Sequence, residues 1–263
     1  MTLSQPLRGS LAAESFLFAG RLVKIWRRDP LVLIQAVVFP TFLLITYKLL
    51  LGKSIIRITG TDSLYGLVPM CSVAGGMFGA FAAAHTIRFE REWGLLTRFW
   101  RYPINRASPL AGRLLADAVR TFLSSVLITA VGVALGLRFN GGWLYVIPFL
   151  IAPVIVGVIF SMAVIAIAMR SNSSAALVWL AVPSIGAVFS SSGVPPAELL
   201  PAWMSPLIHL NPMTPTIDFM RGLALAEPVL GSLLVSLTWA IGLTAVLGPL
   251  AVSGYRAAAR VGG

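Results

Sequence analysis

Long apolar runs separated by short polar segments dominate the chain. A helix needs about 20 apolar residues to cross a bilayer, and each run approaches or exceeds that length. The pattern therefore predicts six transmembrane helices, at residues 31–51, 64–86, 114–137, 143–169, 176–193 and 232–252. We expect an all-α membrane protein with one transmembrane domain over residues 1–263.

The segment before the first run is amphipathic. Within 10–29, Phe18, Leu22 and Trp26 recur at helical spacing, whereas Arg21 and Lys24 point to other sides of the helical wheel. Such a pattern is typical of a helix that lies in a membrane interface. We therefore expect an N-terminal interfacial helix at 10–29.

Composition and charge agree with a membrane location. Hydrophobic residues make up 57% of the chain and charged residues 11%, against about 45–50% and about 25% in soluble domains. The net charge of +11 then reports topology and contact with anionic lipid headgroups rather than nucleic acid. Fifteen of the 20 basic residues lie in the N-terminal tail, in 88–120, at Arg170 or in the C-terminal tail. This asymmetry predicts that both termini are cytoplasmic.

The apolar runs show no nucleophile with a base, no paired carboxylates and no cluster of metal ligands, one of which an intramembrane hydrolase needs. The predicted topology separates His85 from His209, and Cys71 is the only cysteine, so we expect no metal site and no bound cofactor. Gly52-Lys53-Ser54 lacks the first glycine of a phosphate-binding loop. We therefore expect this chain not to be an enzyme.

Ion-coupled transport is also disfavoured. The centres of the six predicted spans contain no Asp, Glu, Lys or Arg, whereas a proton or ion needs a binding group at mid-membrane. Asp117 lies near the inner boundary, four residues from Arg113 and three from Arg120. This spacing favours a local ion pair.

A charged segment between the second and third spans predicts a surface helix at 88–102, stopped by Pro103. Its aromatic and apolar residues share one face, whereas Glu90, Arg91 and Arg98 point away from it. The aromatic and apolar residues are Phe89, Trp93, Leu96 and Trp100. Two interpretations remain: a membrane-anchored surface helix, or a site where a protein partner docks.

Two segments resemble the ABC-2 type permeases. Residues 90–117 have an acidic residue just before a glycine, then Arg, Pro and Arg, then Leu-x-Gly-Arg, as in the signature of that family. Residues 199–215, continuing to Met220-Arg221-Gly222, are similar to the family's segment between its last two spans. The most similar subgroup is the daunorubicin-resistance type, which includes actinobacterial exporters of complex lipids.

The resemblance implies an exporter in a bacterial cell membrane, with two permease subunits, identical or homologous, and two ABC ATPase subunits that bind ATP and Mg²⁺. The helix at 88–102 would then be a coupling helix in a cleft of the ATPase, and 194–231 would form short external helices over the exit. The matching coupling residues are Glu90, Arg91, Glu92, Gly94, Arg98, Pro103 and Arg106. The matching residues of the external cap are Trp203, Pro206, Asn211, Pro212 and Arg221.

Other residues of the apolar runs suggest packing and a substrate path. Gly75, Gly79, Gly132 and Gly136 have small-xxx-small spacing, which suits helix packing within the chain or between permeases. Spans two and five supply the substrate-path candidates, although a Met and Phe stripe is also typical of ordinary packing. These candidates are Met77, Phe78, Phe81, Phe189 and Ser190.

The sequence thus predicts the permease subunit of an ATP-driven exporter for a hydrophobic lipid or drug. Export of a polysaccharide or lipid-linked glycan is the alternative within transport. A membrane scaffold that recruits a cytoplasmic partner is the alternative outside it.

Overall fold

The chain is built from helices. The computed structural model describes residues 10–28, 34–95, 105–171, 174–191, 193 and 205–261, and every regular element in these ranges is helical. The α-helices are α1 (Leu11–Trp26), α2 (Phe39–Thr59), α3 (Leu64–Glu92), α4 (Ser108–Ala134), α5 (Val146–Arg170), α6 (Ser174–Phe189), α7 (Ser205–Leu210), α8 (Thr214–Leu225) and α9 (Leu230–Val261). A π-helical turn precedes α2 and a 3-10 turn precedes α5. The predicted all-α class is confirmed.

Five stretches of the described residues are long and apolar enough to cross a membrane. They are Ile34–Thr59, Leu64–Arg91, Ser108–Ala134, Trp143–Arg170 and Leu230–Ala258. The chain is therefore an integral membrane protein. The predicted count of six spans is not confirmed, because the run at 176–193 forms only the 16-residue helix α6. At 1.5 Å per residue α6 extends about 24 Å, less than the roughly 30 Å of hydrocarbon in a bilayer.

Helix α3 forms the centre of the bundle. Of the 18 most apolar consecutive residues of α3, 89% are buried inside the protein. The corresponding share is 17% for Ile34–Thr59, which we call the α2 stretch, and 0% for α9. Methyl groups added to Gly75 and Gly79 would lie 2.6 Å from Oγ of Ser124 and from Nε of Arg120, both on α4. These glycines therefore serve close packing of α3 and α4 within the chain.

Helix α3 also extends further than the sequence predicted. The second span was expected to end at residue 86, with a separate helix from 88, but α3 is continuous to Glu92. Neither glycine nor proline interrupts 80–92, and the helix stops at Gly94, which has a φ of +64°. The first turns of the expected coupling helix are thus the end of α3. The remainder of that segment, 96–102, lies outside the described residues.

Helix α1 packs on protein rather than presenting its whole apolar face to lipid. Its buried stripe, formed by Ala19, Leu22 and Trp26, contacts α3 and α4. A methyl group on Gly112 of α4 would lie 2.5 Å from Cβ of Phe18, so the two helices touch closely here. A helix lies within the predicted range 10–29, and its location in a membrane interface stays a prediction. Its position beside α4 is a tertiary feature that the periodicity could not supply.

The connection between α2 and α3 is held by an ion pair. Lys48 Nζ lies 2.5 Å from Oδ1 of Asp62, and the same oxygen accepts a hydrogen bond from the backbone N–H of Leu64. Partial burial of Asp62 acts to raise its pKa, but the hydrogen bonds and charge of Lys48 and the N–H of Leu64 outweigh it. The pKa of Asp62 is therefore lowered.

The proline-rich segment before α9 forms short helices, as expected. Helix α7 has six residues and α8 has twelve, with Pro215 in the first turn of α8 and Ala226 in the left-handed conformation after its end. The buried face of α8, which includes Ile217 and Met220, joins the main core. Residues 194–204 lie outside the described ranges.

Candidate functional site

Glu90, the first of the coupling candidates, is buried at the meeting point of three helices. Its side chain accepts hydrogen bonds from Arg21 of α1, at 2.6 Å, and from Arg113 of α4. Glu90 is 6% exposed and Arg113 is 2% exposed. A carboxylate in the last turn of a helix is unfavourable beside the helix dipole, and the two guanidinium groups compensate for it. Glu90 thus ties α1, α3 and α4 together.

A second buried ion pair lies further along α4. Arg120 Nη1 is 2.8 Å from Oδ1 of Asp117, and the guanidinium of Arg120 stacks 4.8 Å from the ring centre of Trp26. The predicted local ion pair of Asp117 is confirmed with Arg120 as its partner, whereas Arg113 pairs with Glu90. The cluster formed by Arg21, Glu90, Arg113, Asp117 and Arg120, which we call the charge cluster, contains three arginines and two acids. It joins α1 to the α3–α4 pair.

The end of α3 presents aromatic rings outward. Phe89 and Trp93 are 57% and 73% exposed, and their rings meet edge to face with centres 6.5 Å apart. Arg91 is half-buried, with Nη1 3.5 Å from the carbonyl oxygen of Ala168. In the described part of this segment, Glu90 and Arg91 therefore contact the protein, whereas Phe89 and Trp93 are exposed.

Of the remaining coupling candidates, three lie in the described ranges and two do not. Gly94 forms the turn after α3, and Arg106 is exposed just before α4. Glu92 is the last residue of α3. Arg98 and Pro103 lie outside the described residues. Arg21 and Trp26 were not among the candidates, because only the fold brings α1 beside the end of α3.

The expected cap is anchored by Asn211. This residue is 5% exposed, and its Nδ2 donates to the carbonyl oxygen of Ala187 at 2.5 Å while its Oδ1 accepts from the N–H of Met213 at 3.0 Å. Asn211 therefore links the end of α6 to the corner between α7 and α8. Of the other cap residues, Pro206 is exposed and Arg221 is half-buried. Trp203 lies outside the described residues.

A cavity of about 480 Å³ lies between the start of the α2 stretch, α3 and α6. Its walls are mainly apolar, and its polar groups come from Gln35, His85 and Arg88. Two of the substrate-path candidates, Phe78 and Phe81, line it. The full set of lining residues is Gln35, Phe39, Phe78, Phe81, His85, Arg88, Leu177, Val178, Ala181 and Ile185.

The other substrate-path candidates lie elsewhere. Met77 is fully buried in the core and does not line this cavity. Phe189 packs against Tyr47 with ring centres 6.1 Å apart, and Ser190 donates to the carbonyl oxygen of Ala187. The structure therefore brings together two of the five candidates, in the wall of an open and mainly apolar cavity.

Comparison with known proteins places the chain in a family. The model of the ABC-2 type transporter family matches residues 15–225. The probable doxorubicin resistance ABC transporter permease protein DrrC of Mycobacterium tuberculosis is 32% identical over 97% of this chain and 92% of its own length. The daunorubicin resistance ABC transporter permease protein DrrB1 of Streptomyces coeruleorubidus is 23% identical over 96% of this chain and 89% of its own length. No solved structure matches. The chain belongs to the ABC-2 type transporter family, as the two sequence segments indicated.

Proposed function

We propose that the chain is the transmembrane permease subunit of an ATP-driven exporter that moves a hydrophobic lipid or drug out of the cytoplasm or the inner leaflet. The observation that carries this proposal is the apolar cavity between the α2 stretch, α3 and α6, with polar groups from His85, Arg88 and Gln35. The relatives named for doxorubicin and daunorubicin resistance support the same substrate class. A hydroxyl-rich glycan finds few partners on walls that are mainly aromatic and aliphatic.

ATP hydrolysis then takes place on a separate ABC ATPase, with two ATPase and two permease subunits in the complex. The chain would reach its ATPase through the exposed end of α3 and the segment that follows it. Phe89 and Trp93 suit this role because exposed aromatic residues are typical anchors of protein interfaces. Glu90 would be a positioning residue, since its carboxylate is already held by two arginines.

The charge cluster supplies a route for coupling. A movement of the end of α3 on ATP binding would move α1 and α4 through the bonds of Glu90. Helix α4 would in turn act on α3 at their close contact beside Gly75 and Gly79. At the opposite end of α3, α8 packs on the core and Asn211 links it to α6. A cap made of α7 and α8 over the exit, and termini in the cytoplasm of a bacterial cell, complete the proposal.

The substrate cavity is tested by transport in proteoliposomes that contain the permease and its co-purified ATPase. Phe78→Ala should reduce drug-stimulated ATP turnover, because it removes a ring from the cavity wall. The matched control is Phe122→Ala, since Phe122 is 41% exposed on α4 and lies outside the cavity. Equal stimulation in the two variants would contradict the assignment. A co-purifying partner without ATP turnover would favour the scaffold.

A further inference from the structure

A second apolar groove follows helices α5, α6 and α9. Two adjoining cavities, of about 380 and about 690 Å³, share Ala163, Leu180 and Leu247 in their walls. The groove reaches from the level of Ile155 to that of Arg170 on α5, about 22 Å at 1.5 Å per residue. That length exceeds the depth of one leaflet, which is half of the roughly 30 Å hydrocarbon thickness.

The groove opens toward the bilayer rather than into the core. Helix α9 forms one wall of the groove, and none of its 18 most apolar consecutive residues is buried. Ile241, next to the groove residue Ala240, is 70% exposed. An apolar surface in this position is accessible to lipid chains. The groove is also separate from the cavity lined by Phe78 and Phe81, because the two share no lining residue.

The two ends of the groove differ in charge. At one end Arg170 donates to the carbonyl oxygen of Ala166 at 3.1 Å and to Oγ of Ser253 at 2.6 Å. A guanidinium has five N–H groups, and no carboxylate of the described residues forms an ion pair with Arg170. The sequence at 163–171 and 247–258 contains no acid, and Arg256 lies one turn after Ser253.

At the other end the lining hydroxyl groups already have hydrogen-bond partners. The hydroxyls of Thr216 and Ser236 are 2.7 Å apart, and Ser184 donates to the carbonyl oxygen of Leu180. The groove is therefore apolar along its length, its hydroxyls at one end already have partners, and at the other end no carboxylate of the described residues pairs with Arg170. An amphiphile with an anionic head is complementary to this arrangement.

We propose that the groove holds an anionic phospholipid of the surrounding bilayer, with an acyl chain between α5, α6 and α9 and its phosphate at Arg170. The bound lipid fills the space beside the short helix α6 and supports that helix against α5. This lipid stays bound to the folded protein and is not transported. The exported substrate, under the proposed function, binds in the other cavity.

The test is native mass spectrometry of the full chain in mild detergent, equilibrated with equal amounts of phosphatidylglycerol and phosphatidylcholine. The unaltered chain should retain phosphatidylglycerol preferentially. Arg170→Ala should lower the ratio of retained phosphatidylglycerol to phosphatidylcholine about fivefold, as expected for one basic residue at an anionic headgroup. Arg170→Lys should keep most of the preference. Arg138→Ala is the control, because Arg138 is exposed and lies away from the groove.

A second pair of variants tests the acyl-chain site without altering charge. Ala240→Trp fills the groove and should reduce the retention of both lipids, whereas Ile241→Trp, on the exposed side, should not. The proposal is overturned if Arg170→Ala keeps the preference of the unaltered chain, or if the two tryptophan variants retain lipid equally. The readout needs neither ATP nor ATPase, so its failure is distinguishable from failure of the transport function.

Discussion

Replacing Glu90 by glutamine tests the charge cluster most directly. The substitution keeps the shape of the side chain but removes the carboxylate that pairs with Arg113, which is 2% exposed. Removing one partner of a buried ion pair costs about 3–5 kcal/mol. Arg21 adds little, since its side chain is 35% exposed and solvent screens the pair. At roughly 2–4 °C per kcal/mol for a chain of this size, Tm should fall by about 6–20 °C.

The assay is thermal unfolding of the isolated full-length permease in mild detergent. Glu227→Gln is the matched control, because Glu227 is exposed. A double variant, Glu90→Leu with Arg113→Leu, should recover most of the loss, since apolar replacement of a buried ion pair is often neutral or stabilising. Glu90 does not stabilise the contact of the three helices if Glu90→Gln unfolds at the same temperature as Glu227→Gln while ATPase binding is lost. Glu90 would then contact the ATPase directly.

Three further changes probe other parts of the fold by the same unfolding assay. Gly112→Ala should cost about 1–3 kcal/mol, because its methyl group displaces α1, whereas Gly20→Ala, with open space around it, should not destabilise. The pair of Asp62 with Lys48 stabilises the fold above the ordinary pKa of Asp62, and this contribution should disappear as pH falls through the lowered pKa. Asp62→Asn should abolish that dependence. Asn211→Ala should cost about 1–3 kcal/mol, since it removes the acceptor of the buried Met213 N–H, just before α8, and one donor to the Ala187 carbonyl oxygen of α6.

Each of these predictions has a contradicting result. Equal unfolding temperatures for Gly112→Ala and Gly20→Ala would mean that α1 does not pack on α4 as described. An unchanged acid transition in Asp62→Asn would assign the pH dependence to another group. An Asn211→Ala variant as stable as the unaltered chain would mean that α6 and α8 are not linked through this amide.

Hydropathy and periodicity predicted most of the helices because both are local properties. Runs of apolar residues mark the membrane-spanning stretches, and prolines at 206, 212 and 215 indicate short helices before α9. The end of α6 was less well predicted, because composition alone does not show that the helix stops at Phe189, where Ser191 donates to the carbonyl oxygen of Val188.

The site depends on contacts that are distant in sequence. The periodicity correctly separated Glu90 from Phe89 and Trp93, but it could not show which face is buried. Arg21 lies 69 residues from Glu90, and Arg113 lies 23 residues away on a neighbouring helix. Only the packing of α1 beside α4 brings these charges together, which is why the sequence could not show that Glu90 is buried.

Export of a hydrophobic substrate by this permease, driven by ATP that another chain hydrolyses, can be measured in vesicles. The permease and its co-purified ATPase are reconstituted with the nucleotide-binding side outward, and accumulation of a fluorescent hydrophobic drug is followed. We expect accumulation that requires ATP and stops when a non-hydrolysable analogue replaces it. Accumulation without ATP, or ATP turnover that leaves the drug distribution unchanged, would rule out ATP-driven export by this permease.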